Sequence, residues 1–442
     1  MKRITIIGYG RFGKVLHRLL KDDFSVVLYN RSPLSEKKLG ANTRIAKDLG
    51  DAYESDIIFF AVPIPAFESV VRAHKRYFRP HHLLVDVLSV KMHPALVFRR
   101  ELRGLKTRAL LTHPMFGPDS SKEGFSALPL IIDRGSATPA EVAYWKSYFR
   151  KKKLRVIELS PKEHDRLAAN SQGLTHFIGR LLEKLGVKAG PIDSLGTKKL
   201  LEVEEQTCND TWELFAGLQH YNPYTKRMRL RLGAAYDSLY GKLLPKAVRQ
   251  GVITIGIQGG KGSFNDEAIQ EYIRKRDIRN FDIKYLYTAE KVLRNLYEGN
   301  IDLGLFATHN ARGGIVHESV HAMARYKFRI VDEQAILIRH SLMRRSDVRT
   351  EDVMTIMGHS QNFKQCAVNL AAKFSSLEQV TGKGDLVDTA KAASFLAAGK
   401  LPKTTAILGP RVLATMYGFE IIEGDLQDLG KDNITNFLLV KR

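Results

Sequence analysis

The stretch "ITIIGYGRFGKVLHRLL", residues 4–20, determines the interpretation of the N-terminal part of the chain. An apolar, β-branched run leads directly into three glycines with the spacing G-x-G-x-x-G, and an amphipathic helical pattern follows. Gly8 suits a tight turn, Gly10 lets the backbone approach a pyrophosphate, and Gly13 permits close packing of the helix. The N–H groups at the helix N-terminus can then bind the phosphates. This context predicts a dinucleotide-binding domain.

The remainder of the first 159 residues repeats the alternation of strand and helix patterns. Apolar, β-branched runs stand at "RITIIG", "SVVLYN", "DIIFFAV", "LLVDV", "LPLIID" and "LRVIEL". This order predicts an α/β Rossmann domain over residues 1–159, with a mostly parallel sheet and helices on both faces. We expect the cofactor to contact Gly8, Tyr9, Gly10, Arg11, Phe12, Gly13 and Val62.

The predicted second strand ends in "LYNRS", residues 28–32. An NAD site usually carries an acidic residue about 20 residues after the glycine loop, where it binds the ribose hydroxyls. Asn30, Arg31 and Ser32 offer no carboxylate at that point, and Arg31 can pair with a 2′-phosphate. These residues favour NADP over NAD, with a merely solvated Arg31 as the alternative.

His113 lies in "LLTHPMFGPDSS", residues 110–121, after a strand-like run and before a turn. A lone histidine is more often structural than catalytic. This one follows a strand of the predicted sheet, so we expect it at the carboxyl edge, where ligands bind. A base that titrates near neutral pH beside a nicotinamide suits removal of a hydroxyl proton as hydride leaves the same carbon.

The pattern changes at "SPKEHDRLAANS", residues 160–171. Ser160, Pro161 and Glu163 are typical of a capping box with proline at the first helical position. From there to residue 246 the pattern is helical, and its apolar faces need a partner surface. A second α/β pattern follows the linker "LLPKAVRQG". We therefore predict three domains, over residues 1–159, 160–246 and 251–442.

The 442 residues carry a formal net charge of +22 and only two cysteines, Cys208 and Cys366. Such a charge is typical of nucleic-acid-binding proteins, but Lys and Arg are spread along the chain and no nucleic-acid motif accompanies them. An enzyme for anionic small molecules is the favoured interpretation. Two cysteines suggest neither a disulfide framework nor a metal site, and the apolar runs are too short for a bilayer. We expect a cytoplasmic protein without metal, nucleic-acid or membrane partners.

The motifs "GYGRFG", "VDVLSVK", "THPMFGP" and "EHDRLAANSQGLTHF" follow one another in this order. Together they resemble the prephenate/arogenate dehydrogenase family over roughly residues 1–245. The resemblance implies an oxidative decarboxylation in tyrosine biosynthesis, in which His113 accepts the proton of the ring hydroxyl. It also implies that Ser89 hydrogen-bonds His113 or that hydroxyl, that His176 lines the substrate pocket, and that the helical domain forms a homodimer.

One departure from this family concerns the substrate carboxylate. Prephenate-specific members carry an arginine on the helical domain, and the matching stretch "GTKKLLEVEEQTCNDTW", residues 196–212, has none. Lys198, Lys199 and Gln206 are the polar candidates, although the two lysines could equally form a solvated helix start. The choice between prephenate and arogenate therefore stays open.

The segments "GIQGGKGSFNDEA", "GHSQNFKQC", "DTAKAA" and "DNITNFLLV" resemble prephenate dehydratases, the phenylalanine-branch enzymes, over roughly residues 252–442. The resemblance implies two α/β lobes of the periplasmic-binding-protein type with a cleft between them, without the regulatory domain that usually follows. It implies a catalytic Thr435, but Asn436 stands in place of the family's arginine. Further cleft candidates are Ser263, Asn310, Gln361 and Thr389.

These departures leave two interpretations of the second half. A divergent dehydratase is favoured narrowly, because Thr435 keeps the hydroxyl that assists departure of the ring hydroxyl. The alternative is a metabolite-binding sensor attached to an active dehydrogenase. A basic nucleic-acid-binding protein that reuses both folds is the interpretation from another class, and the glycine loop together with His113 argues against it.

Overall fold

The computed structural model describes residues 2–35 and 39–442. The chain divides into two units, residues 1–236 and 237–442. The helices that follow residue 160 therefore group with the N-terminal sheet, and the division falls inside a helix that spans Thr225–Leu243. A separate helical domain over residues 160–246 stays a prediction.

The strands of the first unit are β1 (Arg3–Ile7), β2 (Ser25–Tyr29), β3 (Thr43–Ile45), β4 (Ile57–Phe60), β5 (Leu83–Asp86), β6 (Arg108–Pro114), β7 (Pro129–Asp133) and β8 (Arg155–Glu158). The helices are α1 (Arg11–Leu20), α2 (Leu49–Ala52), α3 (Ile64–His74), α4 (Met92–Glu101), α5 (Pro139–Lys151), α6 (Pro161–Asn170), α7 (Gln172–Leu185), α8 (Leu195–Cys208), α9 (Trp212–Tyr221) and α10 (Thr225–Leu243), which continues into the second unit.

The strands of the first unit form one sheet in the order β3-β2-β1-β4-β5-β6-β7-β8. All neighbours are parallel except β6 and β7, whose antiparallel register pairs His113 with Ile131. Apolar side chains cover both faces of the sheet, one around Trp145 and the other around Phe67. The predicted Rossmann architecture is confirmed, and His113 lies at the carboxyl end of β6.

The helix α6 begins as the sequence predicts. The Ser160 hydroxyl accepts a hydrogen bond from the Glu163 backbone N–H, and Pro161 occupies the first turn. The reciprocal bond of a full capping box, from the Ser160 backbone to the Glu163 carboxylate, is absent within the described part of the chain. The cap fixes the start of the helix that carries His164 and Asp165 towards the sheet.

The strands of the second unit are β9 (Ile253–Ile257), β10 (Phe281–Tyr285), β11 (Leu303–Asn310), β12 (Gly314–Ile315), β13 (Arg329–Leu337), β14 (His340–Arg345), β15 (Thr355–Met357), β16 (Glu378–Val380), β17 (Thr405–Pro410), β18 (Phe419–Glu423) and β19 (Ile434–Lys441). The helices are α11 (Phe264–Lys275), α12 (Ala289–Glu298), α13 (His317–Met323), α14 (Ser360–Gln365), α15 (Ala367–Lys373), α16 (Thr389–Ala397) and α17 (Val412–Tyr417).

Two sheets organise the second unit. The first has the order β10-β9-β11-β19-β13, with β12 beside β11, and the second has the order β16-β15-β17-β14-β18. The chain passes from the first lobe to the second after β13 and returns before β19, so two segments connect the lobes. This is the two-lobed α/β fold that the sequence predicts. Over the residues described, no helix combines the length and apolar character that crossing a membrane requires.

Candidate functional site

The glycine loop between β1 and α1 has the geometry that a pyrophosphate requires. Gly8 has a φ of +97°, and a Cβ there would lie 2.4 Å from the Ala61 carbonyl oxygen. A Cβ on Gly13 would lie 2.2 Å from the Gly8 oxygen, so helix and loop meet closely. A Cβ on Gly10 would meet nothing within 4 Å, which leaves open space above the N-terminus of α1. Since α1 has no acidic residue in its first turn, this end suits an anion.

Asn30, Arg31 and Ser32, for which the sequence predicts discrimination between NAD and NADP, directly follow β2. The Asn30 side chain accepts a hydrogen bond from the Tyr9 backbone N–H at 3.1 Å and donates one to the Ser32 carbonyl at 3.1 Å. Asn30 therefore shapes the loop with its side chain. Arg31 and Ser32 are exposed beside it, outside the cavity described next.

A cavity of about 570 Å³ adjoins the glycine loop. The predicted site residues that line it are Gly10, Arg11, Phe12, Val62, Ser89, His113, His176 and Gln206. Cofactor and substrate candidates from the sheet and from the helices thus share one cavity. Lys198 and Lys199 do not line it: both are exposed and lie about two helical turns before Gln206 and Thr207 on α8. Their predicted role as carboxylate ligands gains no support.

A chain of hydrogen bonds fixes the His113 ring. Its Nδ1 lies 2.8 Å from His164 Nε2, and His164 Nδ1 lies 2.8 Å from Asp165 Oδ1. Because an ionised carboxylate only accepts, His164 carries its proton on Nδ1 and accepts the Nδ1 proton of His113. The remaining nitrogen of His113, Nε2, then has a free lone pair. The arrangement makes His113 a base that is available to a ligand in the cavity.

Asp165 is itself held at the start of α4. Its carboxylate accepts hydrogen bonds from the backbone N–H groups of Lys91, at 2.7 Å, and Met92, at 2.9 Å. Its backbone carbonyl accepts a hydrogen bond from the Asn222 side chain at 2.8 Å. These contacts tie the histidine pair to the start of α4 and to the end of α9.

Burial, with smaller contributions from His164 and Lys91, holds the pKa of His113 well below its ordinary value. The Lys91 ammonium is fully buried and contacts the Asp86 carboxylate and the Thr112 carbonyl. Burial raises the pKa of Asp86 to about 6 and lowers that of Lys91. Lys91 thereby anchors Thr112, the residue before His113, to the end of β5. Because the pKa of His113 lies well below its ordinary value, His113 is neutral at physiological pH.

Ser89 lines the cavity but makes no hydrogen bond to His113 within the described residues. His164, 51 residues later in the chain, occupies the Nδ1 side of the ring. The other predicted partner of Ser89, a substrate hydroxyl, stays a prediction.

The charged side chains around the cavity are mostly acidic. Asp119, Asp210 and Glu213 line it, and Arg11 is the cation among its lining residues. Arg11 forms ion pairs of 3.2 Å with both Asp119 and Asp210 and also donates to the Asn209 carbonyl. The glycine loop is thus bonded to the connection between α8 and α9. A net negative lining suits a ligand that carries an ammonium group.

The second unit has a cleft of about 100 Å³ between its lobes. Ser263, Asn310, Gln361, Thr389 and Thr435 all line it, so the structure brings together the five residues that the sequence predicts there. Thr435 is buried, and its hydroxyl oxygen accepts a hydrogen bond of 2.8 Å from Asn310.

Asn310 differs from its predicted role as a ligand donor. Its amide nitrogen donates to Thr435, to the Asn433 side chain and to the Ile434 carbonyl. Its amide oxygen accepts from the backbone N–H groups of Arg312, at 2.9 Å, and Gly313, at 2.6 Å. Both ends of the amide are therefore used within the fold, and Asn310 positions Thr435.

Asn436 points away from this cleft. Its side chain donates a hydrogen bond of 2.6 Å to Glu333 on the neighbouring strand, whereas Thr435 and Phe437 line the cleft. Alternate residues of a strand face opposite sides of the sheet. An arginine at residue 436 would therefore lie on the face of β19 that points away from the cleft.

Sequence reasoning missed several residues that line or support these sites. They are His164, Asp165 and Asp210 in the first unit, and Glu318, His359 and Asp388 in the second. The signal for the first two was present in "EHD", which also reads as an ordinary helix start. His359 and Asp388 stand in the quoted segments "GHSQNFKQC" and "DTAKAA", whereas Asp210 and Glu318 carry no local signature.

Three sequence families match consecutive parts of the chain. Residues 16–158 match the nucleotide-binding domain of prephenate dehydrogenase, and residues 255–442 match prephenate dehydratase. Between them, residues 181–251 match the TYRAAT1-like, C-terminal domain. The dehydrogenase match lies in the first unit and the dehydratase match in the second, and the match between them spans the division after residue 236.

Curated relatives agree with these families. Arogenate dehydrogenase 2, chloroplastic, of Arabidopsis thaliana is 35% identical over 254 residues, which are 54% of this chain and 71% of that protein. Arogenate dehydrogenase 1 of the same plant is 34% identical over 54% of this chain and 39% of its own length. Arogenate dehydratase 2 of Petunia hybrida is 28% identical over 43% of this chain and 45% of its own length. The chain thus spans less than half of two of these three relatives.

Proposed function

Because the chain belongs to the prephenate/arogenate dehydrogenase family and carries a prephenate dehydratase domain, we propose that its first unit oxidatively decarboxylates arogenate with NADP. The observation that carries this proposal is the cavity that the glycine loop, His113 and Asp210 share. It allows a dinucleotide, a base and an acidic side chain to act on one ligand.

The residues of the first unit fit a dinucleotide at the N-terminus of α1, where Gly10 leaves open space. A bound nicotinamide dinucleotide would supply the hydride acceptor. His113 Nε2 accepts the proton of the ring hydroxyl, because Nδ1 is engaged with His164. Loss of the ring carboxylate as CO2 then makes the ring aromatic. Asp165 stabilises the positive charge that develops on the histidine pair.

Arogenate is favoured over prephenate by charge. The two molecules differ in that arogenate carries an ammonium group where prephenate has a keto group. Asp210 and Asp119 line the cavity, and the one arginine there is already paired with both. The names of the relatives, arogenate dehydrogenases, support the same choice.

NADP is favoured over NAD because no carboxylate follows β2. Asn30 is used within the loop, and Arg31 is exposed beside it. A guanidinium there can bind a 2′-phosphate in two hydrogen bonds, whereas an acidic residue would repel it.

The test is an assay of the purified chain with arogenate and with prephenate, each with NAD and NADP. We expect the highest kcat/KM for arogenate with NADP, followed as reduction of the nicotinamide. A preference for prephenate would contradict the substrate choice, and the absence of any nicotinamide reduction would contradict the activity itself.

A second activity is favoured by Thr435. Its buried hydroxyl faces the cleft of the second unit, and Asn310 fixes it there. We therefore assign a dehydratase activity to this unit, whose sequence diverges from that of the family at Asn436. Formation of phenylalanine from arogenate, or of phenylpyruvate from prephenate, should disappear in Thr435→Ala. Turnover that survives this substitution would contradict the assignment and favour a sensor.

Two further proposals concern the oligomeric state of the protein and its cellular compartment. The helices α7 and α8 and their connection expose large apolar side chains, among them Leu185, Ile192 and Leu195, which supports a homodimer through this surface. Cys208 and Cys366 are both free, which supports a reducing compartment such as the cytoplasm.

A further inference from the structure

The connection between α8 and α9, residues 209–211, is held by an arginine on α7. Arg180 Nη2 donates a hydrogen bond of 2.5 Å to the backbone carbonyl of Asp210. The Arg180 side chain is only 14% exposed, and it lies one helical turn after His176 on the same side of α7. Arg180 itself is not among the described residues that line the cavity of the first unit. It therefore acts on a ligand there through its neighbours.

The other contacts of Arg180 give little reason for an arginine at this position. Its Nη1 lies 3.0 Å from Glu183 Oε2, but that side chain is half exposed, and such ion pairs contribute little to stability. The guanidinium carbon lies 5.8 Å from the centre of the Phe215 ring. Its Nε is buried and has no hydrogen-bond partner among the described residues. A buried N–H without an acceptor destabilises the folded state, so packing alone does not account for this side chain.

Arg180, Asp210 and His176 lie close enough to influence one another electrostatically. Burial lowers the pKa of the His176 imidazole, while the Asp210 carboxylate raises it and the Arg180 guanidinium lowers it by smaller amounts. His176 and Asp210 both line the cavity. The guanidinium thus lies near two residues that face the ligand without lining the cavity itself.

Two arginines hold Asp210 at different atoms. Arg11 contacts its carboxylate at 3.2 Å, whereas Arg180 contacts its backbone carbonyl. A ligand ammonium group that pairs with the carboxylate would compete with Arg11 for it. The hydrogen bond from Arg180 does not involve the carboxylate, so it can persist when a ligand is bound. On the other side of Asp210, the Thr211 hydroxyl accepts the Leu214 N–H at 3.2 Å and fixes the start of α9.

We propose that Arg180 is a positioning residue for Asp210 and thereby determines how strongly the first unit prefers a substrate that carries an ammonium group. Arg180 fixes the backbone from which the carboxylate projects, and small displacements of an interacting group are costly. Prephenate has a keto group in place of the ammonium group, so its turnover does not depend on this pair. The inference rests on the proposed oxidation of arogenate, and it adds the residue that holds the partner of the ammonium group in place.

Steady-state assays of the full chain with NADP measure the ratio of kcat/KM for arogenate to that for prephenate. Arg180→Met, which removes every N–H group of the side chain, should lower this ratio by about tenfold or more, mainly through a higher KM for arogenate. Arg180→Lys keeps a charge but lacks the planar fork, so it should lower the ratio by a smaller factor. This second variant keeps the test decisive if the first unfolds. Glu183→Gln removes the ion pair but leaves the contact with the Asp210 carbonyl, so this matched control should not change the ratio.

A merely structural role would lower kcat/KM for both substrates alike, and an unchanged ratio in the Arg180 variants would overturn the inference. In the Asp210→Asn background, Arg180→Met should have almost no further effect on the ratio, because the residue that it positions has lost its charge. A further loss there would also overturn it. A wild type that prefers prephenate, or a ratio that does not respond to Asp210→Asn, would contradict the proposed substrate choice. A ratio that responds to Asp210→Asn but not to Arg180 substitution would contradict only the inference.

Discussion

Arg11 of the glycine loop forms an ion pair of 3.2 Å with Asp210, which lies 199 residues later between α8 and α9. A residue of the glycine loop is thus bonded to the acidic side chain that we propose as the partner of the substrate ammonium group. A pyrophosphate at the N-terminus of α1 would compete with Asp210 for this guanidinium. Asp210 would then be free to bind the substrate.

Replacement of Asp210 by Asn should lower kcat/KM for arogenate by about tenfold or more. The reason is loss of a hydrogen bond to a charged group, which is worth about 1.5–3 kcal/mol. Prephenate has no ammonium group, so its kcat/KM should be unchanged or higher. Steady-state assays with both substrates measure the ratio. Asp22→Asn, at an exposed position outside the cavity, should leave the ratio as it is; a parallel loss for both substrates in Asp210→Asn would remove the charge argument.

Replacement of His113 by Asn should reduce kcat by roughly 10²–10⁴, the usual contribution of a general base. Cofactor binding, followed by fluorescence titration, should be preserved. Since burial lowers the pKa of His113, the base form persists below pH 6.5. The acidic limb of the kcat/KM profile should therefore fall below that pH. A limb at or above 6.5, or near-normal turnover of the variant, would exclude His113 as the proton acceptor.

His164 should act only through His113. His164→Asn leaves the His113 ring without its oriented partner, and kcat should fall by about tenfold or more, because small misplacements of a reacting group are costly. In the His113→Asn background the same substitution should have almost no further effect, as expected for residues that work as a unit. His220→Asn, exposed on α9, is the control. Independent, multiplicative losses would show that the two rings do not cooperate.

Replacement of Arg31 by Ala should weaken NADP and leave NAD nearly untouched. The guanidinium is exposed beside the expected 2′-phosphate and binds it through charge. KM and kcat/KM for both cofactors measure the effect, with Arg103→Ala at another exposed position as the control. Equal losses for NAD and NADP would mean that Arg31 supports the loop and does not choose the cofactor.

The helical surface should dimerise at micromolar concentration. Ile192 is 95% exposed, and Ile192→Asp should shift the mass from light scattering towards that of the monomer. A surface substitution changes stability little, typically within about 0.5 kcal/mol, so the thermal unfolding midpoint should stay close to the wild type. Met354→Asp, exposed in the second unit, should not change the mass. A monomeric wild type would contradict the proposal.

The parts of the site that sequence predicted are those with a local signature. The spacing of Gly8, Gly10 and Gly13 and the place of His113 after a strand depend on neighbours in the chain, and both have the expected geometry. The partner of His113 lies 51 residues away in "EHD", a stretch that is equally typical of an ordinary helix start. The exposure of Lys198 depends on which face of α8 packs against the cavity, and a helical pattern alone does not determine that.

The orientation of Asn436 follows from the strand pattern alone. Thr435 and Asn436 are adjacent in β19, so a period of two places only one of them in the cleft. The charge balance of that cleft was not predictable, because Asp388 and Glu318 reach it from helices that are distant in sequence. Sequence identifies the elements of such a site better than it identifies which side chains converge.

The two units belong to one polypeptide, with the division inside α10. Under the proposed function, every molecule synthesised therefore delivers one tyrosine-branch site and one phenylalanine-branch site, whatever the level of expression. Transcription and turnover of this protein leave its two sites at a ratio of one to one. The partition of a shared precursor between these two sites is then set by the ratio of their kcat/KM values, and a ligand that occupies one site shifts the flux towards the other.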